Sequence, residues 1–219
     1  MSKWSDTGAK EWEQPETGNQ VARCIRVIEL GTQKKEYQGE TSWKRQTLIV
    51  WELPQSLMTE GEYAGKPFTI SQFYTASLGE KANLRRDLES WRGRAFTDDE
   101  LNGFDQRNIL GKPCLLNLID KNGKVRVSSV SSILKGMTVP PQVNESLFYD
   151  IDEHDETVWN KLSDGVKKLI QQSKEWQDRN APPQPLGARS LAASAGGNQP
   201  PSFSEAPPPS IEEDEIPFN

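Results

Sequence analysis

Three runs near the start of the chain carry apolar residues at the spacing of strands. Gln20 to Leu30 (QVARCIRVIEL) is rich in β-branched side chains and closes at Gly31, Trp43 to Pro54 (WKRQTLIVWELP) stops at a proline, and Gly65 to Thr75 (GKPFTISQFYT) follows a turn-rich stretch. Each is bounded by residues that end strands. The period then changes. Leu84, Leu88 and Trp91 recur at four and three residues, and Ser77 with Glu80 has the form of a capping box, so the spacing predicts an amphipathic helix ending at Gly93. Thr97 with Glu100 opens a second, shorter helix, TDDELNGF. KPCLLNLID and GKVRVSSVSSIL then flank an Asn-Gly pair, the chemistry of a tight hairpin turn, and supply strands four and five.

Beyond Gly136, MTVPPQVNESLFYDIDEHDE reads as an extended connector. Helical spacing returns at Trp159, Leu162, Val166, Leu169, Ile170 and Trp176, predicting one helix over 157–179. From Ala181 onward the chain holds nine of its fifteen prolines and almost no aliphatic residues. Such a segment buries too little apolar surface to offset the entropy of ordering, and disorder is expected. The expected organisation is a flexible arm over 1–19 carrying Trp4 and Trp12, a β domain over 20–136, a connector and helix over 137–180, and a linker with a charged end over 181–219. Strand, strand, strand, helix, strand, strand is the chain order of an OB-fold, a five-stranded Greek-key barrel, so the expected class is mainly β with added helices. Other small α+β domains share that order.

Composition narrows the chemistry. With 219 residues, 34% of them hydrophobic, and a mean hydropathy of −0.75, part of the chain is expected to stay unfolded. No apolar run reaches the roughly 20 residues of a membrane span, and MSKWSDTGAKEWEQ lacks the apolar centre of a signal peptide, so a cytoplasmic location is expected. Cys24 and Cys114 lie in apolar runs and read as small hydrophobes in a reducing compartment. With a single histidine, His154, and no close cysteine pair, neither a metal site nor a cofactor is expected. No phosphate loop, nucleophile elbow or zinc-protease motif occurs, and the chain is not expected to be an enzyme. Asp98, Asp99 and Glu100 have the place of residues that complement a helix dipole.

The net charge of −6 is unevenly spread. Residues 181–219 set Arg189 against five carboxylates, leaving a near-neutral body of 25 basic and 27 acidic residues that has room for a basic stripe. Single-stranded nucleic acid needs cations for phosphates and flat rings for unpaired bases. If Leu48 and Val50 fill a barrel, Trp43 and Arg45 point outward, as do Phe73 on strand three, with Tyr74 at its end, and Lys124 and Arg126 on strand five. Lys34, Lys35 and Tyr37 in the loop after strand one, and Lys121 in the last hairpin, complete the candidate DNA-binding set. A slip of one residue in register would exchange the two faces and send Trp43 and Phe73 inward.

The chain ends in SIEEDEIPFN. Four carboxylates, Glu212, Glu213, Asp214 and Glu215, run into Ile216, Pro217 and Phe218: acids to steer toward a basic rim, apolar side chains to anchor in a pocket. EEDEIPFN resembles the acidic tip of bacterial and phage single-stranded DNA-binding proteins, an acidic run followed by Ile-Pro-Phe at the chain end after a low-complexity linker. Here Asn219 follows Phe218, displacing the terminal carboxylate by one residue. The stretches EKANLRRDLESWRGRAFTDDEL and LGKPC are similar to replication-region proteins of tailed bacteriophages. The resemblance implies sequence-independent binding and protection of single-stranded DNA during replication, recombination and repair, with partner enzymes of those processes recruited by the tip. The alternative is a protein-interaction adaptor or replication accessory factor whose barrel binds protein.

Overall fold

One long, bent strand organises the sheet. In the computed structural model, which describes residues 13–37 and 39–181, β1 (Gly18–Tyr37) pairs antiparallel with β2 (Glu40–Leu57) from Arg23 to its end. β3 (Pro67–Thr75) adds to β2, and the chain then forms α1 (Asn83–Arg92) and α2 (Asp98–Asn102). β4 (Pro113–Asp120) returns along the first part of β1 and β5 (Val125–Ser131) adds to β4, giving the order β3-β2-β1-β4-β5. β6 (Leu147–Tyr149) takes the same edge of β1 where β4 has left it, parallel to Arg26–Ile28. The architecture is a mainly β, open six-stranded sheet, and α1 lies between β3 and β5.

The sheet is covered on both sides. Ile49, Trp51 and Leu53 pack on one side with Leu88 and Trp91 of α1 and Leu116 of β4. On the other, Ile28 and Leu48 pack with Tyr149, Ile151 and the helices that follow. β2 is therefore buried at nearly every position from Gln46 to Leu53, and the inside-outside alternation expected of it is absent. Its parity is the reverse of that expected: Thr47, Ile49 and Trp51 face α1, while Leu48, Val50 and Lys44 share the opposite face. β3 keeps its expected faces, with Phe68 and Ile70 in and Phe73 out.

Gly31 bends β1 instead of ending it. At φ +73 it sits in a bulge opposite Gln46, and the strand runs six residues further. The Ser77–Glu80 box does not form; Ser77 Oγ accepts from the Gly79 N–H at 3.1 Å, and α1 starts only after Ala82. α1 does end at Gly93, in the left-handed conformation. The Thr97–Glu100 box is present, with Glu100 N–H donating to Thr97 Oγ1 at 3.3 Å and Thr97 N–H to Glu100 at 3.0 Å. Asn122 (φ 57) and Gly123 (φ 74) close the β4–β5 hairpin as expected.

The helix expected over 157–179 is three: α3 (Glu156–Asn160), α4 (Asp164–Gln171) and α5 (Lys174–Asn180). Ser163 and Ser173 interrupt the run as N-caps. Ser173 is fully buried, and its Oγ accepts from Trp176 N–H at 3.2 Å. The connector expected to be extended contains β6, an apolar triplet short enough to escape notice between acidic residues. The described end of the N-terminal arm is tied down: the Glu13 carboxylate accepts from Thr59 and Glu60, and Gln14 bonds Gly123 and Val125. Trp4, Trp12 and the segment from 182, including the charged end, lie outside the described residues.

Candidate nucleic-acid interface

The β1–β2 arm, the free edge of β3 and the turn entering α1 enclose a groove of about 460 Å³. Alternation builds it. Lys35 opposite Ser42 and Lys44 opposite Gln33 share one face of the arm, and Phe73 opposite Leu48 lies on the same face of the next strand. Lys81 approaches from the loop before α1. Three ammonium groups thus meet one carboxylate, Glu80, around a ring that is 52% exposed. None of the three lysines has an ion-pair partner among the described residues. Ser77 and Asn83 add polar groups.

Of the residues expected to bind DNA, Lys35 and Phe73 meet in this groove. Lys34 is exposed on the other face of the arm, opposite Trp43, and is paired with Glu36 at 2.5 Å. Trp43 is exposed but carries the Lys174 ammonium 4.1 Å above its ring, so its accessible surface is shared with α5. Arg45, expected to face outward, follows the parity of Thr47 and is held by Glu29 and, at 2.7 Å, by Asp152. Tyr74, expected in the binding set, is a core residue. Its hydroxyl donates to Asp87 at 3.0 Å, and burial with Asp87 beside it raises the phenol well above its ordinary range. Tyr37 closes β1; its side chain lies outside what is described. Lys121, Lys124 and Arg126 are exposed around the β4–β5 hairpin, next to the start of β1, whereas Lys34 and Lys35 stand at its far end. The structure therefore does not gather these cations into one groove.

Sequence reasoning missed Lys44 and Lys81. Lys44 is Arg45's neighbour, and correct parity on β2 would have selected it. Lys81 lies in a stretch expected to be the first turn of a helix, and the structure places it in the loop before α1. The carboxylates of Glu29, Asp150 and Asp152 converge within 4.8 Å, but Arg45 spans Glu29 and Asp152 and answers their charge. Cys24 and Cys114 are both fully buried free thiols, raised by desolvation, as expected of small hydrophobes.

The groove offers three ammonium groups without ion-pair partners among the described residues and one accessible ring. A search against protein-family models, curated proteins and solved structures finds no match to the chain.

Proposed function

We propose that the body of this chain binds single-stranded nucleic acid without sequence preference, and that its charged end recruits other proteins to the occupied strand. The observation that carries the reading is the meeting of Lys35, Lys44 and Lys81 with exposed Phe73. Ammonium groups answer phosphates and release counterions, while the phenyl face accepts any base. The strand order β3-β2-β1-β4-β5, with β3 and β5 on either side of α1, supports reading the sheet as an OB barrel whose outer β1–β2 face has been covered by β6 and α3–α5. That cover moves the binding surface from the strand centres to the β3 edge and the arm.

DNA as the nucleic acid, and replication, recombination or repair enzymes as partners, rest on the resemblance of EEDEIPFN to the acidic tips of single-stranded DNA-binding proteins. The reading places the protein in the cytoplasm of a bacterial host. Among the described residues no helix is long and apolar enough to cross a membrane. Reversing two charges tests the groove. Lys35→Glu with Lys44→Glu is expected to weaken binding of a fluorescent dT20 by about tenfold or more at low salt. Unaltered affinity would remove the groove from the interface.

A further inference from the structure

A second basic groove of about 460 Å³ opens at the other end of α1, between Trp91, Arg94, Phe104, Asn108 and Lys112. Its cations, Arg92, Arg94 and Lys112, meet one carboxylate, Glu100. Lys112 is exposed and has no ion-pair partner among the described residues. Arg92 lies over Phe96, 4.3 Å from its ring centre, and gives one nitrogen to Glu100. Its Nη1 is buried without an acceptor. A guanidinium N–H in that state calls for an acceptor.

The two grooves lie at opposite ends of α1. Between them lies a cavity of about 200 Å³ that shares Ser77 with the lysine groove and Phe104 and Ile109 with the second groove. The ten residues of α1 run alongside, a length of about 15 Å, which is about four nucleotides at stacked spacing. Resting on the reading that the lysine groove binds a strand, we infer that the same strand continues along α1 and is held again by Lys112 and Arg94, so that the protein has two phosphate clamps, one at each end of α1. A polymeric polyanion is favoured over a small acidic ligand, because two basic grooves stand about 15 Å apart at the two ends of one helix.

The test compares oligonucleotide lengths on the full chain. Lys112→Glu, with Arg94→Ala as a second variant, is expected to weaken dT20 by about tenfold and to make the slope of log Kobs against log salt shallower by about 0.7 for each clamp charge removed. Binding of dT3, too short to span the about four nucleotides between the grooves, is expected to be unchanged. Thermal melts confirm that each variant folds. If Lys112→Glu binds dT20 like the unaltered chain while Lys35→Glu with Lys44→Glu weakens both lengths, the second clamp is refuted and the first stands. Loss of dT3 and dT20 alike on Lys112→Glu refutes it as well. So does binding of an acidic peptide that Lys112→Glu abolishes while dT20 affinity holds.

Discussion

Phe73 owes its exposure to its place on an edge. Its cross-strand neighbour Leu48 is buried beneath β6 and the C-terminal helices, and that cover stops short of β3, leaving the phenyl ring beside Lys35 and Lys44. A base stacked on such a ring contributes about 1–3 kcal/mol, and Phe73→Ala is expected to weaken dT20 by that amount in a fluorescence titration. Trp43→Ala is expected to leave the affinity unchanged, because the indole faces the other side of the arm under Lys174. These two residues had looked equivalent in the sequence. What separates them is the parity of β2, invisible wherever both faces of a strand are apolar. Arg45 shows the same limit: Glu29 and Asp152, which hold it, are 16 and 107 positions away in the chain.

Gly31 decides how the elements fit. A Cβ at that position would lie 2.7 Å from atoms of Ile151, Ser173 and Glu175, and its positive φ disfavours any L side chain. The glycine lets β1 kink and lets Glu175 reach the Thr32 N–H at 2.7 Å and hydroxyl at 2.6 Å, pinning α5 to the sheet. Gly31→Ala is expected to cost about 2–4 kcal/mol, combining backbone strain with overpacking, as read by chemical denaturation. Elements announced by local chemistry were legible: the Thr97–Glu100 box, the Gly93 stop, the Asn-Gly turn and all five strand cores. Elements decided by distant partners were not. The three helices after residue 155 looked like one because their apolar positions keep helical spacing, while the buried cap Ser173, which divides the last two, depends on the sheet they cover.

At the scale of the whole molecule, an acidic chain presents basic grooves because its carboxylates are concentrated elsewhere. Many in the body are occupied: Glu29 with Arg45, Glu100 with Arg92 and Arg94, Glu52 with the Val143 and Asn144 amides. Arg94 and the Thr97 N–H hold Glu100 at about 2, so its charge persists far into acid. The carboxylate run at 212–215 lies outside the described residues, and its expected role is partner recruitment. Deleting Glu212 to Asn219 is expected to leave dT20 affinity undiminished while abolishing capture of the replication or repair enzyme that reads the tip, as seen in a pull-down. The most direct test of the central claim is a titration of fluorescent dT20 into the full chain at about 50 and about 200 mM salt, with duplex of the same length as competitor. The account predicts tight binding at low salt, weakened by about tenfold or more at high salt and resistant to duplex. Absence of binding at low salt, or preference for duplex, would contradict it.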